Sequence, residues 1–143
     1  MIVYFDTSAL VPLLVAEPGS PGARELWDGA SRVASVRLVY PETRAALAQA
    51  RRDRRLTAGQ LRAAVDALND HYQQLDVVEV DEELVYNAGE LAERQDLRGY
   101  DAVHLAAAQR LDDPELVVAA GDRALLGAAN RLGLSTATVG PSG

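Results

Sequence analysis

The 143-residue chain contains neither cysteine nor lysine. Without cysteine there is no disulfide, no thiolate nucleophile and no cysteine-ligated zinc or iron-sulfur site. Without lysine, three designs are excluded: a P-loop phosphate site, a receiver domain with a lysine beside its phospho-acceptor aspartate, and Schiff-base chemistry. All 14 basic residues are therefore arginine. Aromatic residues are scarce at 5%, which leaves few rings for stacking and favours recognition of any nucleic acid by shape and backbone. No apolar run approaches the roughly 20 residues that span a bilayer, and the first residues lack a basic region followed by a cleavage site. The expectation is a cytoplasmic protein with no membrane association. A net charge of -7 argues against nonspecific duplex binding through a uniformly basic face, but not against a local arginine patch or a bound cation.

What is present is an ordinary globular balance, 48% hydrophobic and 24% charged, in a length that suits one domain. Candidate strands at 2–5, 32–38, 76–80, 115–120 and 135–139, the first and fourth reading as buried, alternate with segments of helical period. Those segments are 9–16, 20–28, 41–52, 57–75, 81–95, 101–111 and 122–133. Ser20 and Pro21 suit the N-cap and first position of the second helix, and Thr57 with Gln60 has capping-box spacing. The helices 41–52 and 57–75 are expected to form a hairpin. Strands alternating with helices predict an α/β fold, one domain over 1–139 with a mainly parallel central sheet and helices on both faces, then a tail at 140–143.

Four acids, Asp6, Glu42, Asp101 and Asp122, recur where a strand ends or a helix begins. In an open parallel sheet, ligands bind beyond the carboxyl ends of the strands, near a switch in strand order, so all four can meet on one edge. Carboxylates about 4 Å apart repel by on the order of 4 kcal/mol per pair at an effective dielectric of 20, so such a cluster needs a proton or a cation. Magnesium is the natural choice, with manganese as substitute, because these hard cations prefer carboxylate oxygen. Taken singly, each acid also fits a helix cap or first turn. Thr7 and Ser8 offer supporting hydroxyls. Ser8 reads as a group that orients Asp6 rather than as a nucleophile, since no histidine follows in a triad context. His104, three residues after Asp101, reads as a packing or hydrogen-bonding residue.

These acids sit in four segments: Phe5-Asp6-Thr7-Ser8-Ala9-Leu10, Pro41-Glu42-Thr43-Arg44-Ala45-Ala46, Leu97-Arg98-Gly99-Tyr100-Asp101-Ala102-Val103-His104-Leu105-Ala106, and Gly121-Asp122-Arg123-Ala124-Leu125. In their order and spacing the chain resembles the PIN-domain family, specifically the VapC-type ribonuclease toxins of bacterial toxin-antitoxin pairs. The first and third segments are the specific ones. One departure is Ala120, where the family frequently has a small hydroxyl residue two places before the fourth acid. The resemblance implies a magnesium-dependent endoribonuclease with Asp6, Glu42, Asp101 and Asp122 as catalytic and metal-binding residues, Asp6 and Asp101 foremost. It also implies an RNA substrate, a cognate VapB-type antitoxin and a homodimer. The apolar faces of the second helix and of the 57–75 helix are candidate contacts for partners, or are core.

Arg44, Arg51, Arg52, Arg54, Arg55 and Arg62 concentrate positive charge on the helical hairpin. Arg44, Arg51 and Arg55 are the candidates for RNA or partner binding, with Arg51 and Arg55 four apart on one expected exposed helix face. Trp27 and Tyr72 read as core or interface residues. A haloacid-dehalogenase-like phosphatase is excluded by Ser8 two residues after Asp6 and by the missing lysine. A structure-specific metal-dependent deoxyribonuclease shares the same metal logic. A catalytically silent interaction domain, whose carboxylates only cap helices, is the alternative from a different class.

Overall fold

Ile-Val-Tyr-Phe forms the wholly buried strand β1 (Ile2–Phe5), and it is wholly apolar because it lies in the middle of the sheet. In the computed structural model, which describes residues 1–140, it is joined by β2 (Arg32–Val36), β3 (Asp76–Val78), β4 (Val117–Ala120) and β5 (Ser135–Thr138). Of the tail expected at 140–143, residues 141–143 lie outside the described residues. The strand order is β3-β2-β1-β4-β5, and every pairing is parallel.

Side chains of a strand alternate between faces, and the two cores follow that alternation. Ile2 and Tyr4 pack with α5 (Glu82–Gln95), α6 (Gly99–Leu111) and α7 (Arg123–Arg131). Val3 and Phe5 pack on the other face with α1 (Thr7–Leu10), α2 (Ser20–Gly29) and α4 (Ala58–Gln74). The α/β architecture with helices on both faces is thus as the sequence implies. Helix α3 (Val39–Arg52) and α4 pack as the expected hairpin, and Thr57 and Gln60 form the reciprocal capping box at the start of α4.

Several details differ. The helix expected over 9–16 stops at Leu10 and continues as a single 3-10 turn, Val11–Leu13, because Pro12 has no N–H to give the carbonyl four residues earlier. Ser20 is not the cap of α2 but its first residue; its hydroxyl accepts from Glu17 N–H and donates to the Val15 carbonyl. Arg51 and Arg55 do not share a helix face. Helix α3 ends at Arg52, Arg54 takes a positive φ of 63°, and Arg55 lies in the following turn, 3.6 Å from Asp53. The apolar faces of α2 and α4 proposed for partners are largely consumed by the core through Ala23, Trp27, Ala64 and Leu68. The large apolar side chains left exposed include Val85 and Tyr86 on α5 and Tyr100 on α6. Among the described residues, no helix is long and apolar enough to cross a membrane.

Candidate active site

The chain starts in the middle of the sheet, builds outward through β2 and β3, then returns to build β4 and β5 on the other side. The switch point is between β1 and β4, where helices following the two strands diverge and leave a cleft at the carboxyl edge. Asp6 follows β1 directly, and its backbone N–H is bonded to the Ala119 carbonyl of β4. Asp122 caps α7 just after β4. Glu42 and Asp101 come from the first turns of α3 and α6. All four line one open cleft of about 640 Å³, together with Glu17, Arg98, Tyr100, His104, Thr7 and Ser8.

Asp6, Glu42 and Asp122 are each held through one oxygen, while Asp101 meets only Arg98. Asp6 Oδ1 accepts from the Ala9 N–H at 2.9 Å, as the cap of α1, and from Ser8 Oγ at 2.7 Å. Ser8 in turn accepts from the Gly121 N–H at 2.7 Å, so one hydroxyl ties Asp6 to the end of β4. Glu42 Oε1 accepts from Thr7 Oγ1 at 3.1 Å and is 2.9 Å from His104 Nε2. Asp122 Oδ1 caps the Leu125 N–H at 3.1 Å. The second oxygens of Asp6 and Glu42 have no protein donor among the described residues. Those of Asp101 and Asp122 meet only Arg98, whose Nε is 3.3 Å from Asp101 Oδ2 and whose Nη2 is 3.4 Å from Asp122 Oδ2.

Electrostatics follow from burial and crowding. Asp6 is 3% exposed, and its pKa is pushed from an ordinary 3.8 up to about 6, chiefly by loss of hydration; His104, Ser8 and the Ala9 N–H pull it down and Asp101 adds to the rise. Asp101 is also raised, first by burial and then by Asp122, with Arg98 acting against both. Tyr4 is buried, and its hydroxyl stays protonated well past the usual phenol range. That phenol is 2.7 Å from His104 Nδ1. On its other side His104 Nε2 is 2.9 Å from Glu42 Oε1, where Nε2–H donates to the carboxylate. His104 therefore carries a hydrogen-bond chain from the core to the cleft.

Five carboxylates and one guanidinium line this cleft. As placed, no three histidine, aspartate or glutamate side chains among the described residues converge into a closed metal cage. Arg98 accounts for part of that, because it lies between Asp101 and Asp122 where a cation's charge is needed. The donor set nevertheless suits a hard divalent ion: it is all-oxygen and carboxylate-rich, with Asp6, Glu42 and Asp122 each anchored through one oxygen and their second oxygens, like Asp101, unclaimed or held only by Arg98.

The four acids singled out in the sequence thus come together, as do Thr7 and Ser8. Arg44, Arg51 and Arg55 do not line the cleft. Sequence reasoning missed Arg98, Glu17 and the Tyr4 link to His104. The signal for Arg98 was its place three residues before Asp101 at a helix start; Tyr4 carried none, being a core residue in a core strand.

Residues 3–130 match the family model for the PIN domain. A curated relative, Ribonuclease VapC45 of Mycobacterium tuberculosis, is 46% identical over 136 residues, covering 95% of this chain and 94% of the relative. Among solved structures, Mycobacterium tuberculosis VapC20, described as a sarcin-ricin loop cleaving toxin, superposes with a TM-score of 0.69 at 23% identity, over 88% of this chain and 94% of that one. VapBC2 from Rickettsia felis, bound to a DNA fragment from its promoter, gives a TM-score of 0.64 at 14% identity, over 96% and 98%. At such identities the two structures speak for the fold alone. With the family model spanning most of the sequence and a relative this close over nearly its full length, the chain belongs to the PIN-domain family and is similar throughout to its VapC-type members.

Proposed function

We propose that this chain is a magnesium-dependent endoribonuclease, with manganese as a working substitute, and the toxin of a VapBC-type toxin-antitoxin pair. The observation that carries the reading is the cleft itself: five carboxylates against one arginine at the sheet's switch point. A polyanion cannot enter such a site unless a cation neutralises it. Asp6 and Asp101 are assigned as the principal metal ligands, with Glu42 and Asp122 binding through water or positioning the attacking water. A bound divalent ion would supply a polarised water and neutralise charge on the scissile phosphate.

The chain's own groups set the rest. Ser8 and the α1 N-terminus fix Asp6, while His104 and Thr7 fix Glu42, so each presents one defined oxygen. Asp101 and Asp122 would hold the ion in place of their contacts with Arg98, whose guanidinium lines the same cleft and would be left to pair with an RNA phosphate. The name of the relative supports RNA as substrate. The Rickettsia complex supports a VapB-type antitoxin as partner, and the exposed Val85 and Tyr86 of α5 offer apolar surface for a homodimer. The expected setting is the cytoplasm.

The test is sequencing of RNA ends after brief induction of wild type and of Asp6→Asn in bacteria. Discrete new ends that require Asp6 support the reading; end profiles identical in the two would sink it.

A further inference from the structure

The active-site cleft does not end at the acids. Thr7, Glu42 and Tyr100 also border a second depression with Leu38, Pro41 and Ala45. Leu38 and Pro41 in turn border a third, of about 520 Å³, whose outer wall is Tyr40, Tyr72, Arg37 and Asn69. Shared walls therefore link three adjoining depressions, from the carboxylates to a pair of tyrosines beside the start of α3 and the end of α4.

The far depression has the opposite character to the near one. The Tyr40 and Tyr72 rings are 5.1 Å apart between centroids and tilted by 57°. Arg44 lies over Tyr40 at 5.8 Å and Arg37 over Tyr72 at 6.0 Å. The phenol oxygens are pinned: Tyr40 donates to Asn69 Oδ1 at 2.7 Å and accepts from Arg44 at 3.1 Å, and Tyr72 accepts from Arg37 at 2.8 Å. No carboxylate lines this end. Arg37 is paired with Glu79, but Arg44 has no acidic partner among the described residues.

We infer that the Tyr40–Tyr72 depression is a base-binding subsite for an unpaired nucleotide of the RNA substrate, a fixed number of nucleotides from the scissile phosphate. Exposed guanidinium planes of Arg44 and Arg37, held over the hydrogen-bonded tyrosine rings, suit a stacked base and its phosphate, and amides at Asn69 and Gln73 supply donors and acceptors for a base edge. A single-stranded substrate follows, since a base must leave its stack to use such a site. Tyr40 and Tyr72 themselves are half-buried and packed side by side against the core, in keeping with Tyr72 as a core or interface residue. The inference rests on the nuclease reading.

The experiment is cleavage of total bacterial RNA by the full-length protein, with sequencing of the new ends, for wild type, Tyr40→Leu/Tyr72→Leu and Arg44→Gln, each checked by thermal melting. Leucine keeps apolar bulk and loses the ring over which each guanidinium is held. The expected result is loss of base preference at one position flanking the cut in the double variant. On a short single-stranded RNA carrying the mapped site, KM should rise about tenfold. Arg44→Gln, at an exposed position, should shift in the same direction and keeps the proposal testable if the double variant does not fold. An unchanged base preference with unchanged KM overturns the subsite while leaving the nuclease intact. Unchanged cleavage with lost binding of a cognate antitoxin reassigns the depression to a protein segment and overturns the subsite equally. No cleavage by wild type removes the nuclease reading, and the subsite with it.

Discussion

Arg98 is the residue on which the cleft's charge balance turns. It bridges Asp101 and Asp122 at 3.3 and 3.4 Å with a side chain that is 83% exposed, so it is a solvent-screened counter-ion. On the proposed reading a divalent ion would displace it from both acids. Arg98→Gln should therefore lower the magnesium concentration needed for half-maximal thermal stabilisation by about two- to fivefold, the equivalent of an exposed ion pair. A weaker magnesium response in the variant would show that Arg98 assists the ion instead. Asp6 gives a second prediction in the metal-free protein. Its native pKa of about 6 lies above the ordinary 3.8, a gap worth roughly 3 kcal/mol. Between those values the native state holds more protons than the unfolded state, so this group's contribution to stability rises as pH falls from 7 toward 4. Asp101 is shifted the same way. Urea denaturation in EDTA should show that gain on acidification shrinking in Asp6→Asn; an unchanged pH slope would mean that Asp6 is better solvated than its 3% exposure indicates.

At the scale of elements, the cleft depends on how α1 and the end of β4 are joined. Ser8 both donates to Asp6 and accepts from the Gly121 N–H. Ser8→Ala should cost about 1–2 kcal/mol by urea denaturation, two ordinary hydrogen bonds, and loosen Asp6 along with the fold. Gly121 is the stricter position. A Cβ there would fall 2.8 Å from the Val139 carbonyl, a backbone atom that cannot swing away. Gly121→Ala should destabilise by about 1–3 kcal/mol and displace Asp122, the next residue; a variant as stable as wild type would show that this edge is softer than its geometry. Strands and helices were readable at this scale because the central strands β1 and β4 are uninterrupted apolar runs and caps have fixed chemistry, as at Thr57 and Gln60. Details set by one bond escaped. Pro12 shortens the first helix, and the turn after Arg52 removes Arg55 from the face assumed for Arg51.

For the whole molecule, a parallel sheet that begins in its middle brings four acids distant in sequence to one edge, and that convergence was legible from their positions after strands and at helix starts. What was not legible is what lies between them. Arg98 and the Tyr4–His104–Glu42 chain depend on tertiary approach across sequence separations that no local pattern records. The same arrangement bears on products. His104 is 2% exposed and engaged by Tyr4 and Glu42, and His71 is bonded to the Ala67 carbonyl against Trp27. Neither is free to deprotonate an RNA 2′ hydroxyl. Cleavage should leave a 5′ phosphate and a 3′ hydroxyl, read by ligation-dependent end mapping; 2′,3′-cyclic phosphate ends would contradict it. The central claim, that the cleft takes up a divalent cation, is tested most directly by thermal melting of wild type and Asp101→Asn in EDTA and across a magnesium titration. Burial and Asp122 weigh on Asp101 more than Arg98 relieves it, so the metal-free variant should melt no lower than wild type. Magnesium at about 100 times its dissociation constant should stabilise wild type by roughly 2.7 kcal/mol, and the variant should lose most of that increment. An identical magnesium-dependent shift in the two proteins would contradict the account.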